Sequence, residues 1–551
     1  MELTLDCLKK KRAEFEQAGI RVPSFDIEAV REKTRAAPVW VHFSSGNLFK
    51  GYHSALAQRL IEGGFSDRGI IAVEPFDYEI IHRVYEPRDN LGIRVVMKTG
   101  GDLEKELIAG VTEALATDNA GSWERLKVIF RAPSLQLVSL SITEKGYDLR
   151  TLDGGFRPEI SGEFDSGPGA PVHAMTKLCA LCRERWLAGA VPLALVSTDN
   201  FSHNGDRLRD ALLTVAREWK DRRHVEQGFV DWLSNPASVS FPLSMIDKIT
   251  PYPSERVWRR LETLVSGMEI ITTAKNSVTA PFVNTEEAEY LVIEDRFPNG
   301  RPPLEQAGVY MADRRTVDMA ERMKVCTCLN PLHTALAIFG CLLGYRSIAG
   351  EMEDPDLAAL VTGIGYDEGM PVVVDPGIIR PADFLEEVLT KRLPNANIPD
   401  TPQRIATDTS QKLGIRFGET IKLYAARDDL DLNSLTLIPL VIAAWCRYLL
   451  GVDDEGNAFT PSPDPLLPEL RRELGGVQAG LPASAAGKLR GILSNSKIFA
   501  LDLYEAGLGE RIESCFAELL AGPGAVRKTL HKYLHGRRGR SGEPGAHGAA
   551  R

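Results

Sequence analysis

Asn330 and His333 stand three residues apart at the head of an otherwise apolar, helix-patterned run, NPLHTALAIFGCLLG. At 3.6 residues per turn that spacing projects both side chains from one face. Six positions earlier stands Lys324, the only lysine between positions 276 and 380. An amine can accept a proton, and a carboxamide and an imidazole can donate hydrogen bonds to an oxygen on which charge builds, so residues of these types are candidates for proton transfer. The competing reading is a solvated lysine beside a core histidine and asparagine satisfied by backbone carbonyls.

A second group has the residue types for nucleotide binding. The apolar run VWVHF (39–43) leads through SSGNLFKG (44–51) into the helix-patterned YHSALAQRLIEGG (52–64), and a second apolar run, GIIAVEP (69–75), follows. A phosphate-cradling turn needs backbone N–H groups at the positive end of a helix, with glycine where a Cβ would block the anion. Ser44 occupies the first glycine position of a GxGxxG motif, and Ser44, Gly46, Asn47 and Leu48 are the candidate cofactor contacts. Glu74 ends the second run, where a carboxylate would bond the adenosine ribose hydroxyls and repel a 2′-phosphate, favouring NAD over NADP. An ordinary strand-to-helix turn and a solvated strand-end glutamate are the alternatives.

The elements that must position these residues read as a β-turn-α-β unit. Further apolar runs follow at 93–99, 126–132, 135–143 and 192–198, with a helical stretch at 173–190. The first half therefore alternates like an α/β, doubly wound, Rossmann-like domain, expected over 38–300 and preceded by a charged N-terminal extension, 1–37. RFPNGRPPLE (296–305) has linker composition, and long apolar helical stretches at 332–350 and 432–451 predict a mostly α-helical second domain over 301–535. The Gly- and Arg-rich end, 536–551, is expected to be a disordered tail.

Composition narrows the functional classes. The 551 residues carry a formal net charge of -10 with a pI of about 5.7, so there is no positive field to hold nucleic acid. No uncharged apolar run reaches about 18 residues, and the start, MELTLDCLKKKRAEFEQ, is charged where a signal peptide would be apolar. A cytoplasmic protein without membrane contact is expected, and the sequence sets no oligomeric state. The eight cysteines are sparse and lie in apolar segments, which predicts reduced core thiols, Cys179 and Cys182 of the CxxC included. No His/Cys/Glu triplet has metal-ligand spacing, so no metal is expected.

LQLVSLSITEKGYDL (135–149), PLALVSTDNFSHNGDRLRDAL (192–212) and FPLSMIDKITP (241–251) resemble, in order and spacing, the polyol-specific long-chain dehydrogenases, the mannitol dehydrogenase family. That family carries T-x-T-E-K-G-Y, then S-C-D-N followed by N-G, then S-M-V-D-R-I-T-P. Here Thr198 replaces the cysteine and Lys248 the arginine. KVCTCLNPLHTALAIFGCLLGY (324–345) resembles the family's lysine-bearing N-x-x-H helix, and RIATDTSQKLGIRF (404–417) its R-I-A-x-D-x-S-x-K segment; the likeness spans roughly 38–530.

The resemblance implies NAD-linked, metal-independent hydride transfer on a small sugar acid or polyol, with Lys324 as general base, its amine depressed by burial. Asn200 and Asn330 would polarise the carbonyl oxygen, and His333 would orient a substrate hydroxyl or the lysine. Arg404 and Lys412 would hold the distal hydroxyls or acid group, and Asp247 would support the substrate-binding turn. The family places its lysine five residues before the asparagine, not six, so a shared site requires a bulge or a helix start after Lys324. The inserted lengths and the CLNPLH variant favour the branch that interconverts D-fructuronate and D-mannonate. Tagaturonate reductase and mannitol 2-dehydrogenase are the alternatives within the family. A catalytically silent sugar or nucleotide sensor is the alternative outside enzymes, supported by Ser44 and the extra residue after Lys324.

Overall fold

A computed structural model describes residues 1–98, 100–151 and 153–536; the tail expected at 536–551 lies, from position 537 onward, outside the described residues. The chain forms two compact units, 1–318 and 319 onward.

The first unit is built on six parallel strands: β1 (Trp40–Phe43), β2 (Ile70–Glu74), β3 (Val111–Ala116), β4 (Leu137–Leu140), β5 (Leu193–Ser197) and β6 (Val239–Ser240). Their spatial order, β3-β2-β1-β4-β5-β6, is that of a doubly wound dinucleotide-binding fold, with the direction of winding reversing between β1 and β4. Both faces of the sheet are covered. Val41 and Phe43 of β1 pack with Ile71, Val73, Val138 and Leu140, while Trp40 packs on the opposite side with Ile70, Ala72 and Leu137. Two buried faces explain why these strands read as continuous apolar runs rather than alternating ones. Helices α1 (Ser54–Glu62), α2 (Ala120–Arg131), α3 (Ala174–Leu187) and α4 (Asn204–Asp221) complete the layers.

Helix α2 departs from the strand-like reading of LKVIFRA (126–132). The Asn119 side chain caps it, accepting from the Gly121 and Ser122 amides, and its buried residues Leu126, Ile129 and Phe130 follow the helical period while Val128 is 52% exposed. The run at 93–99 does form a strand, Gly92–Met97, but in a separate four-stranded sheet with Ile20–Arg21, Leu103–Ile108 and Phe282–Glu286. Segment 1–37 is part of this unit: its strand pairs with Leu103–Ile108, and Leu8 and Phe15 are buried with Ile93, Val95 and Phe282. The unit also runs past the Pro/Gly-rich segment, because Tyr310–Ala312 pairs in parallel with Tyr290–Glu294.

The second unit is helical. Its longest core helices are α5 (Asn330–Leu342), with most of its residues buried, and α6 (Leu437–Tyr448), buried along its whole length; α6 packs on α5 and on Gly509–Leu519. One helical stretch, 314–342, has the length and apolarity to cross a membrane, but 83% of its most apolar window is buried in the fold, as in a core helix. Several helices contain π turns, among them Phe49–His53 in the first unit and Met323–Cys328, Val388–Arg392 and Gly414–Gly418 in the second. None of the eight cysteines forms a disulfide, and burial pushes the thiols of Cys179 and Cys182 up.

Candidate active site

The turn after β1 has the form that a dinucleotide site requires. The Ser44 amide donates to Val73 O (2.8 Å), keeping the chain in register with β2 for one more residue. Ser44 then adopts φ = 100°, a conformation that glycine holds freely and a serine holds at a cost of about 1 kcal/mol or more. Helical turns begin at Asn47, and the Lys50 amide donates to Gly46 O (3.1 Å), so the preceding N–H groups have no partner within the helix. The Asn47 amide group donates to Val278 O (3.2 Å). The Lys50 ammonium donates to Thr279 Oγ1 (2.6 Å) and Ala280 O (2.7 Å), and burial lowers its pKa to about 7. These three bonds fasten the start of the helix to segment 278–280.

Glu74 is turned into this loop rather than outward. One carboxylate oxygen accepts from the Ser45 amide (3.0 Å) and hydroxyl (2.7 Å), the other from the Phe76 (3.2 Å) and Asp77 (3.1 Å) amides. These four bonds engage the lone-pair sites of the carboxylate and brace the turn. Burial pushes the carboxyl up, and the bonds from Ser45, Asp77 and Phe76 oppose it. Beneath the turn, the His42 and His53 rings lie 4.2 Å apart, with His53 Nε2 2.9 Å from Thr198 Oγ1. Burial depresses both imidazoles, His53 to about 3, so both are neutral at physiological pH.

The segments TEKGY, STDN and SMID meet at the carboxyl ends of β4 and β5. Asp199 accepts from the Ile142 (3.1 Å) and Thr143 (2.7 Å) amides and from the Tyr147 hydroxyl (2.6 Å). Asn204, fully buried, donates to Asp199 O and Ser244 O and accepts from the Ser244 amide (3.1 Å). A Cβ on Gly205 would lie 2.6 Å from the carbonyl oxygens of Phe241 and Pro242, which is why only glycine fits there. Asn200 is exposed at the rim of this junction, and Asp247 is buried at the end of strand Ser244–Asp247. Lys248 is a structural cation: it donates to Glu286 O (2.6 Å) and Ala288 O (3.1 Å) and pairs with Glu289. Sequence reasoning passed over Asp199 and Asn204, although both lie inside the motifs it used.

In the second unit, Lys324 is 1% exposed, which removes the solvated-lysine reading. It lies in the π turn Met323–Cys328, closed by the Leu329 amide donating to Lys324 O (3.1 Å). Leu329 breaks the helix (φ −131°, ψ −61°), and α5 starts at Asn330. The extra residue is thus taken up by a bulge and a helix start together. Helix Pro402–Ile405, which carries Arg404, packs on α5, and the turn Gly414–Gly418 packs on both α5 and the Lys324 turn. His333 titrates low, at about 4, first through burial; Asp400 opposes this, and Arg392, Arg416 and Arg404 add to it.

Arg404 is paired, donating through Nε to Asp400 Oδ1 (2.6 Å). The Lys412 ammonium donates to Thr407 O, and burial and then Arg416 lower its pKa. The structure therefore gathers Lys324, Asn330, His333, Arg404 and Lys412 in one unit and adds Arg392, Asp400 and Arg416, which sequence reasoning missed. The four-residue step from Lys412 to Arg416 was the available signal. Among the described residues one group, Asp356, His531 and His535, brings three potential metal donors within 4.8 Å; its two histidines are exposed, and it includes none of the candidate catalytic residues.

Residues 39–306 match the mannitol dehydrogenase Rossmann domain, and residues 316–520 the mannitol dehydrogenase C-terminal domain. The chain is 54% identical to a D-mannonate oxidoreductase of Thermotoga maritima over 95% of its own length and 98% of that protein's. It is 27% identical to a D-mannonate oxidoreductase of Escherichia coli, over 84% of this chain and 89% of that one. Among solved structures it is similar to Pseudomonas fluorescens mannitol 2-dehydrogenase in ternary complex with NAD and D-mannitol. That likeness has a TM-score of 0.70 and 25% identity, covering 97% of this chain and 100% of the other.

Proposed function

The chain belongs to the mannitol dehydrogenase family, and we propose that it is an NAD-dependent secondary-alcohol dehydrogenase interconverting D-fructuronate and D-mannonate without a metal. The observation that carries this reading is the 54% identity, end to end, with the Thermotoga maritima D-mannonate oxidoreductase. The turn at Ser44, Gly46, Asn47 and Leu48, braced by Glu74, would hold the cofactor's phosphates at the helix start. NAD, when bound, accepts or returns the hydride.

The chain's own residues handle the proton and the oxygen. The Lys324 amine takes the hydroxyl proton during oxidation, and its ammonium gives it back during reduction. Asn330 donates an amide N–H to the oxygen as charge grows on it, and Asn200 is proposed as a second donor to that atom. His333, neutral well above its pKa of about 4, orients a substrate hydroxyl or the lysine. Arg404 and Lys412 hold the distal end of the sugar chain, and Asp247 steadies the turn that follows it. Eight cysteines, none of them in a disulfide, suit a reducing, cytoplasmic setting.

Purified protein assayed with NADH against fructuronate, tagaturonate and fructose tests this directly. Fructuronate is expected to give the highest kcat/KM, and Lys324→Ala to lower turnover by roughly 10²–10⁴-fold while NADH still binds. A preference for fructose overturns the sugar-acid assignment. No turnover with any of the three would make the protein a silent sensor.

A further inference from the structure

Arg416 occupies the π turn Gly414–Gly418, which packs against the turn carrying Lys324 and against α5. This turn is seated on the backbone of 498–500: a Cβ on Gly418 would lie 1.9 Å from Phe499 O. The Arg416 guanidinium donates through Nη1 to Thr334 Oγ1 (2.5 Å), and that hydroxyl donates to Asn330 O (3.0 Å). Arg416 therefore lies along the first turn of α5, one hydroxyl away from Asn330, on a turn packed against the one that carries Lys324.

Its electrostatic situation differs from that of its neighbours. Arg404 is paired with Asp400, and the Lys412 ammonium gives one of its three N–H groups to the Thr407 carbonyl. Among the described residues no carboxylate forms an ion pair with Arg416, and Thr334 is its one hydrogen-bond acceptor, against five N–H donors. Burial alone lowers its pKa, to about 10, with no anion opposing the shift. A half-buried guanidinium without a counter-ion is disfavoured, and an anionic ligand offsets that cost.

We propose that Arg416 binds the carboxylate of the sugar acid through the edge of its guanidinium that Thr334 leaves open. The proposal rests on the sugar-acid reading above and names the group that distinguishes an acid from a hexitol. A ketone and a carboxylate four bonds apart in a six-carbon chain are separated by about 5 Å, close to the ~5.4 Å pitch of the turn from Asn330 to Thr334. A guanidinium suits the task because its planar fork matches a carboxylate with two parallel bonds.

The test compares Arg416→Met and Arg416→Lys with the parent chain. One readout is kcat/KM for fructuronate and for fructose with NADH; the other is calorimetric titration of D-mannonate into the NADH-loaded protein. The Met variant is expected to lower the acid-to-ketose ratio of kcat/KM by about 100-fold, mainly through KM for the acid, with partial recovery in the Lys variant. D-Mannonate binding should weaken in parallel. Equal losses on acid and ketose would overturn the proposal and make Arg416 a support for Thr334, and an undiminished acid reaction would overturn it outright. A parent chain that binds D-mannonate through Arg416 but does not turn over fructuronate would refute the proposed reaction and leave this inference standing.

Discussion

Deleting Val325 tests whether the π turn is what makes Lys324 usable. Val325 is the least buried residue between Lys324 and Leu329, so its removal costs the least packing. A π turn takes one residue more than an α-helical turn to come round, so it accommodates six residues where an ordinary helix at about 100° per residue has five. Six ordinary helical steps would swing the lysine on by a further ~100° and carry its ammonium on the order of 10 Å away. The deletion is therefore expected to relax the turn to an α-helical one and leave Lys324 facing the same side. Steady-state assays with fructuronate and NADH should show kcat within about tenfold of the parent, while Lys324→Ala falls by roughly 10²–10⁴-fold. A folded deletion variant, by melting temperature and NADH titration, that is as inactive as Lys324→Ala would refute the reasoning.

Three further outcomes follow from buried groups and from the proposed chemistry. Glu351 is fully buried with neither carboxyl oxygen hydrogen-bonded, and burial, then Asp354 and Asp400, raise its pKa to about 9. Between about pH 4.5 and 9 the folded chain holds a proton there that the unfolded chain has released, so stability falls as pH rises through that window. At pH 7 the loss is at most about 3 kcal/mol. Glu351→Gln should thus raise the melting temperature more near pH 9 than near pH 5, and a pH-independent difference would contradict the buried acid. Glu74→Gln places an amide N–H against backbone N–H groups, and fluorescence titration should show the NADH Kd rising about tenfold; an unchanged Kd would remove Glu74 as the brace of the turn. Because an amine carries the proton, incubation with EDTA should leave turnover intact, and a chelator-sensitive rate would demand a metal in the mechanism.

The features legible in the sequence are those set by near neighbours. Continuous apolar runs at β1, β2, β4 and β5 marked strands buried on both faces, and the turn at Ser44–Leu48 announced itself by the strand before it and the helix after it. The three-residue step from Asn330 to His333 placed both side chains on one face of α5, because helix geometry is local; the eight residues from Arg404 to Lys412 follow no such rule, since the helix ends at Ile405 and Asp408 turns left-handed. Tertiary structure decided the rest. LKVIFRA became helical because Asn119 caps it and its apolar positions face a core assembled from distant strands. Glu74 turned inward because Ser45, 29 residues away, offered two donors to its carboxylate. The six-residue step after Lys324 became tolerable only through a π turn packed against Gly414–Gly418. Arg416 became notable only once Asp400 was seen to be taken by Arg404. Which charges neutralise one another depends on groups brought together across tens of residues, and local spacing carries no record of that pairing.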